Sequence, residues 1–456
     1  MNDNRDNIDF ASTDIGKLFR RFFFPTLWGM LFSMAFILTD GIFVGHGIGP
    51  DGLAAINLVG PIMMVISGMG MMFGMGASVV AAIHLSKGNV KAARINVTQV
   101  FMAGATVSLL MGLVCYCFPR QVLTLLGARG AIYGAAYEYY IWFIPTCLLM
   151  MIETIGLFVI RLDGSPRYAM LSNIIPAVVN IVLDFVFIFP CHWGLMGASL
   201  ATDIGGLVAV AMVMHYMLFR TKTLKFYRLK RTRTSLALTL RNVGYMVKMG
   251  ASGLVGELAV AVMMLAGNLA FKHHLGTDGV SAYSIVCYLF PLVYMLYNAV
   301  AQSAQPIISY NYGARQHQRV FKTISMSLTI SIVLGVVITL LFLFLAPWIV
   351  QIFLDGGEKA ARLAANGLPY YATGFVFMAI NICVTGYYQS VERAGVAVVF
   401  TIMRGILFII AAFAAMPLLA GEKGLWLAVP TADLLTTVAI AVYVLVDQRR
   451  IRRALQ

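Results

Sequence analysis

Seven carboxylates stand within stretches of this chain that are otherwise almost wholly apolar: Asp40, Glu138, Glu153, Asp184, Asp203, Glu257 and Asp433. In the middle of a bilayer each would cost at least about 2.5 kcal/mol on insertion scales, so each must be partnered or put to use. Five of the seven fall in the first half, which is where coupling chemistry is expected. Asp184 has the most informative surroundings. In NIIPAVVNIVLDFVFIF, Pro176, Asn180 and Asp184 recur at i, i+4 and i+8, so a helix carries all three on one face. Pro176 also frees a backbone carbonyl at its own turn. Such a face offers oxygens to a small cation, or a carboxylate held by an amide; a buried Asp bonded to a neighbouring helix is the plainer reading. Asp40, in PTLWGMLFSMAFILTDGIFVGHG, lies toward the outer part of its run, where a helix-end carboxylate near the headgroups is the plainer reading. Two carboxylates facing one cavity repel, so one of them would accept a proton or a cation, which makes a workable proton or sodium switch.

The remaining acids carry less. Asp203 and Asp433 hold matched positions early in two apolar runs, and symmetric occurrence argues for packing or capping; Thr202, beside Asp203, is a credible oxygen ligand for a first-half cation site. Glu257 is either a second coupling group or the partner of Arg404. Glu153 is ambiguous in the same way. Gly70 and Gly74, in GMGMMFGMGA, make a GxxxG spacing that suits close helix contact, and the methionines around them would suit an adaptable cavity wall.

The elements that must position these groups are membrane helices. Of 456 residues, 60% are hydrophobic and 11% charged, far below the roughly 25% charged of a soluble domain. At about 20 residues per crossing the chain has room for some twelve spans. Charged, Gly and Pro punctuation places them near 22–46, 53–84, 93–118, 131–160, 168–190 and 193–219, and then near 243–273, 280–311, 320–349, 360–390, 396–420 and 424–447. This predicts an all-α integral membrane protein with an N-lobe over 1–219, a basic cytoplasmic linker over 220–242 and a C-lobe over 243–456. The linker reads as partly an amphipathic surface helix. No small-residue cleavage site follows the first apolar run, which reads as a retained span.

Charge sets the orientation. With both termini cytoplasmic, 26 of the 33 basic residues fall on the cytoplasmic side, six on the other, and Arg404 within a span. Trp193, Trp348 and Trp426 then fall at outer helix ends, as an aromatic belt would place them. The net charge of +14 is therefore an orientation signal and not a nucleic-acid-binding module. The six cysteines form no CxxC and no metal-ligand spacing, so neither a disulfide framework nor a zinc site is expected. The spans hold no HExxH or GxSxG, and no enzyme is expected.

The two halves repeat. GPDGLAA (Gly49–Ala55) matches GTDGVSA (Gly276–Ala282), GNVKAAR ending at Arg94 matches GARQHQR ending at Arg319, and GLMGASLATD (Gly194–Asp203) matches GLWLAVPTAD (Gly424–Asp433). An even number of spans per repeat gives parallel repeats, two six-helix bundles related by a pseudo-twofold axis along the membrane normal.

Taken together these pieces resemble the multidrug and toxic compound extrusion (MATE) family, over nearly the whole chain. The matching segments are Pro25 followed by TDGIFVGHG, LLGARG (Leu125–Gly130), RLDGSPRYAM, NIVLD, GASLAT and AQPIISYNYGARQHQRV (Ala304–Val320), with LLGARG and QPIISYNYGA most similar to the MepA-like and DinF-like branches. The resemblance implies a V-shaped cleft between two bundles, alternating access, and export of cationic or amphipathic compounds in exchange for protons or sodium ions. It implies a first-lobe cation site at Asp40, Asn180, Asp184 and Thr202, with the first helix bending at Pro25, and it keeps Glu257 as a second coupling site. No cofactor beyond the coupling ion is implied, and the expected setting is a monomer among the lipids of a bacterial inner membrane.

The chain also departs from the family pattern. Leu157 stands where a polar ligand is common, Ser252 where a proline is common in span seven, and Phe185 where a proline often follows the span-five aspartate. Losing a ligand favours a proton over sodium. A flippase for lipid-linked precursors is the rival reading; it would want a more basic cavity than the single intramembrane Arg404 supplies.

Overall fold

The computed structural model describes residues 9–130, 132–230, 232–353 and 359–454; Arg5, Arg231 and the side chains of the basic tail lie outside the described residues. Among the described residues the chain is helical and holds no strand. In hydrocarbon every backbone N–H and C=O must be satisfied within its own segment, and helices achieve this. Spans one to six are Ile15–Gly47, Pro50–Ser86, Val90–Cys117, Ile132–Leu162, Pro166–Ile188 and Gly194–His215, the last continued by a π-helical turn over Tyr216–Arg220. A short helix, Pro119–Leu125, lies between spans three and four and was not foreshadowed by the punctuation. Local chemistry starts these helices. Asp14 accepts from the amides of Gly16 and Lys17 at 2.9 and 3.2 Å, and Asn89 accepts from Ala92 at 3.1 Å.

Among the described residues nine helices are long and apolar enough to cross a membrane, and a pair bent by 48° (Lys359–Ala372 with Phe375–Ser390) makes a tenth crossing. Two of the nine are double. Arg233–Gly313 breaks at Gly276 (φ 67°) and Ala394–Asp447 breaks at Gly421 (φ 57°), which divides them into spans seven and eight and spans eleven and twelve and brings the count to twelve. Positive φ at these breaks favours glycine. Left-handed residues recur at Gly49 and Gly276, at Gly164 and Glu392, and at Gly194 and Gly421, an offset of 227 or 228 residues each time. The structure thus aligns Gly194 with Gly421 and not with Gly424, and it adds the Gly164–Glu392 pair, which sequence comparison missed.

By internal contact the chain forms two compact units. One comprises Met1–Glu257, Gln305–Val320 and Ser390–Glu392; the other comprises Leu258–Ala304, Phe321–Gln389 and Arg393–Gln456. In the first, a Cβ on Gly70 would lie 2.9 Å from Thr154, and one on Gly74 would lie 2.7 Å from Phe158, so the GxxxG stripe seats span two on span four. Span seven crosses span two by mutual glycines: a Cβ on Gly76 would lie 1.9 Å from the Met246 carbonyl, and one on Gly250 would lie 1.8 Å from the Met72 carbonyl. In the second unit Trp426 corrects the belt reading. It is 3% exposed, stacks edge-on against Phe271 at 4.9 Å and covers Gly367, whereas Trp193 and Trp348 are exposed. An indole near a helix end is free to fold inward wherever a glycine leaves room for it.

The basic linker also differs from expectation. Residues 222–230 carry neither helix nor strand, and helix begins at Arg233, so the linker from Arg233 onward is the start of span seven. The non-helical part is fastened within the first unit by one carboxylate. Asp163 accepts from the backbone amides of Lys222, Thr223 and Leu224 at 2.9 to 3.0 Å and from the hydroxyls of Thr221 and Tyr216 at 2.9 and 2.8 Å. Arg94 adds a bond to the Thr223 carbonyl at 2.7 Å, and Phe226 packs edge-on against Phe101. Hydrogen bonds to a charged acceptor contribute about 1.5 to 3 kcal/mol each. Asp163→Ala is expected to lower the melting temperature and to open Lys222, Lys225, Arg228 and Lys230 to limited trypsin cleavage at least tenfold faster than in the parent; an unchanged cleavage rate would contradict this role for Asp163.

Candidate functional site

Spans one and five run side by side in the first unit, and glycines set their approach. A Cβ on Gly29 would meet the Asn173 side chain at 3.0 Å, and one on Gly47 would overlap Ile188 at 2.2 Å. Between these two seats lie Asp40 on span one and Asp184 on span five, each 11 residues beyond Gly29 and Asn173 respectively, so they stand level and within electrostatic reach of each other. Phe43 closes over this level against Phe185 and Phe189, with ring centroids at 6.1 and 5.8 Å. Pro25 is buried within a helix that stays continuous from Ile15 to Gly47. The Oγ1 of Thr26, beside it, is buried with no hydrogen-bond partner among the described residues.

The third wall is span six. Gly205 brings it against span five, since a Cβ there would lie 3.1 Å from Asn180 and 3.2 Å from the Pro176 carbonyl. The Asn180 amide donates to Thr202 Oγ1 at 3.3 Å, and Thr202 donates to the Ala198 carbonyl at 3.1 Å. This fixes the Asn180 side chain with its nitrogen turned to Thr202. Its Oδ1, both oxygens of Asp184 and the Oδ1 of Asp40 are buried without a hydrogen-bond partner among the described residues. Asp184 is fully buried, Asn180 is nearly so, and Asp40 is half-buried. Four unpartnered oxygens thus share a neighbourhood on spans one and five, and the polar helical face read from Pro176, Asn180 and Asp184 is the face that carries three of them.

Other acids are accounted for differently. Asp203 accepts from Thr146 on span four at 2.5 Å. Asp433 pairs with Arg404 at 2.8 Å and accepts from Asn381 at 3.0 Å. The matched repeat positions therefore each accept from a neighbouring helix, but from different partners, and Arg404 pairs with Asp433. Glu257 stands at the span-two contact, where a Cβ on Gly68 would lie 3.1 Å from its own Cβ; Glu153 is half-buried on span four. Leu157 is buried on span four, and its neighbour Phe158 lies beneath the Arg161 guanidinium at 5.2 Å.

Tyr139 is the residue that sequence reasoning missed. It is buried on span four within electrostatic reach of Asp40, Asp184 and Asp203, and its backbone carbonyl accepts from Ser199 at 2.9 Å. Its signal was present: Tyr139, Phe143 and Thr146 recur at i, i+4 and i+7, one stripe of span four that faces this polar cluster.

The family model described as MatE matches this chain twice, over residues 25–186 and 254–414, one match in each repeat and together more than half of the chain. The chain belongs to the MATE family of transporters. It is not an enzyme but a multi-pass membrane transporter of small molecules, with twelve helices in two six-helix bundles. It is 24% identical over 451 residues to the FAD transporter of Shewanella oneidensis, covering 95% of each chain. It is 23% identical over 450 residues to the multidrug export protein MepA of Staphylococcus aureus, covering 96% of each. Among solved structures, an outward-facing multidrug resistance MATE transporter of the MOP superfamily superposes with a TM-score of 0.87 at 18% identity, covering 94% of this chain and 95% of that one. A Vibrio cholerae MATE transporter gives 0.87 at 20% identity, covering 96% and 98%. At these identities the superpositions establish the fold.

Within this MATE fold Thr202 is the positioning group for Asn180. Thr202→Val removes the acceptor for a buried amide, an exchange that costs about 1 to 3 kcal/mol. The variant is expected to melt a few degrees lower than the parent, whereas Thr202→Ser is expected to restore the parent value. Equal melting of the valine and serine variants would contradict this role.

Proposed function

We propose that this transporter exports amphipathic organic compounds, cationic ones among them, by antiport with protons bound at Asp40 and Asp184. The observation that carries this reading is the set of buried oxygens on spans one and five with no donor beside them. An ionised carboxylate without partners in a low-dielectric interior is costly, and a proton or a bound cation removes the cost. Asp203 and Asp433 differ, because one oxygen of each accepts from a neighbouring helix.

Sodium would draw on the same oxygens: those of Asp40, Asp184 and Asn180, with the remaining lone pair of Thr202. Leu157, an apolar side chain on span four, adds no ligand, and a proton needs fewer. In the cycle proposed, protons taken up from outside neutralise the pair, span one rearranges near Pro25, and the cargo leaves; cargo binding from inside then favours loss of the protons, since linkage is reciprocal. Glu257 is assigned a secondary part in proton traffic. The reading sets the transporter in a bacterial inner membrane as a monomer, and the excess of basic residues on one side supports cytoplasmic termini. The named relatives move different cargo, FAD in one case and multiple drugs in the other, so cargo is a separate question from coupling.

Transport of ethidium into everted vesicles, with a pH or a sodium gradient imposed separately, tests the coupling. The pH gradient alone is expected to drive transport. Asp184→Asn and Asp40→Asn are expected to lower gradient-driven transport at least tenfold with unchanged melting temperature, and Glu257→Gln to lower it only severalfold. Transport driven by sodium alone, or full activity in Asp184→Asn, would overturn the assignment.

A further inference from the structure

The second unit holds a charge that export of cations does not use. Arg404 lies about 15 Å along span eleven from its start at Ala394, near mid-membrane, on a π-helical turn over Met403–Leu407. Single π turns are frequent at functional positions. Here the widened turn sits beside Gly405, where a Cβ would lie 2.2 Å from Ala259, so the two helices touch at the point where Arg404 leaves the backbone.

Its surroundings are specific. The Nε donates to Asp433 Oδ1 at 2.8 Å, and the guanidinium carbon stands 5.7 Å from the centre of the Tyr294 ring. Asp433 is in turn held by Asn381, whose Oδ1 accepts from Thr437 at 2.9 Å. Asp433 Oδ1 and the Asn381 amide are held from behind, and one edge of the arginine is not. The Nη1 and Nη2 nitrogens have no hydrogen-bond partner among the described residues, and the side chain retains 17% of its exposure while Asp433 retains 3%. The Tyr297 hydroxyl, one helical turn from Tyr294 and within electrostatic reach of Asp433, is also buried without a partner.

A guanidinium needs only one of its two donor edges to hold Asp433. Leaving the other edge bare at mid-membrane is costly for a purely structural pair, and a planar fork of N–H donors matches an oxyanion in bidentate fashion. We propose that Arg404 is the recognition group for an anionic substituent, a carboxylate or a phosphate, on the exported molecule, with Asp433 as the resident counterion that holds the arginine in place. Tyr294 supports the guanidinium from its face, and the Tyr297 hydroxyl supplies a further donor. The proposal rests on the export reading for its biological meaning but not for its test: it makes the cargo an amphipath that carries an acidic group, whatever ion drives the cycle.

The test is equilibrium binding to the purified full-length protein in nanodiscs, read by fluorescence, with probes paired to differ by one acidic group. Rhodamine B against its ethyl ester isolates a carboxylate; riboflavin 5′-phosphate against riboflavin isolates a phosphate. For at least one pair the acidic probe is expected to bind the parent more tightly than the counterpart that lacks the acidic group, and Arg404→Gln is expected to weaken it at least tenfold while changing the counterpart less than twofold. Asp433→Asn, which withdraws the competing counterion, is expected to tighten the acidic probe severalfold. Melting temperatures of both variants separate these effects from misfolding, because a misfolded protein loses both members of a pair together. No preference for the acidic probe in the parent, or equal losses for both members of each pair in Arg404→Gln, would overturn the proposal. Failure of pH-driven ethidium export would instead count against the coupling reading and leave these binding ratios standing.

Discussion

A carboxylate inside a membrane must be given a donor, a counterion or a task, and most of this molecule's polar architecture follows from how each acid meets that demand. Asp203 receives the Thr146 hydroxyl, and Asp433 receives Arg404 and Asn381. Asp163, at the turn after span four, receives five donors and so fastens the linker. Among the described residues Asp184 receives none on either oxygen, and Asp40 has one buried oxygen in the same condition. The contrast separates structural acids from working ones by a physical criterion that does not depend on where they fall in the sequence.

Holding two such acids together requires rigid surroundings, because unsatisfied groups would otherwise turn toward water. Small residues supply that rigidity. Gly29 and Gly47 close span one onto span five on either side of the aspartates, and Gly205 closes span six onto Asn180. Without an apolar solvent contrast to drive helices together, close backbone approach and interhelical hydrogen bonds are the available forces. Thr202 then fixes the one amide in the site, so that Asn180 presents its oxygen and not its nitrogen. Phe43, Phe185 and Phe189 pack against one another at the same level.

The twelve spans, the duplication and the polar face of span five were all legible in the sequence, because hydropathy, turn glycines and helical periodicity are local signals. Asp40 was legible only with the family likeness, since nothing within its own helix distinguishes a working aspartate from one at a headgroup. What could not be read were choices of partner between distant segments. Arg404 had only Glu257 as a sequence candidate, and packing pairs it with Asp433, 29 residues on. Trp426 looked like a belt residue until Gly367 and Phe271 gave it a cavity to fill. Tyr139 carried no mark beyond a weak stripe, and the Asp163 fastening joins residues some sixty positions apart. The linker was read as one segment because its composition is uniform, although its end is already helix.

The central claim is that Asp40 and Asp184 exchange a coupling ion for cargo. Its most direct test needs no gradient. Ethidium is added to purified protein in weakly buffered detergent solution while pH is followed with an indicator dye. Proton release in step with saturation of binding is expected for the parent, and none for the Asp40→Asn, Asp184→Asn double variant. Cargo binding with no proton released, or equal release from the double variant, would contradict the account.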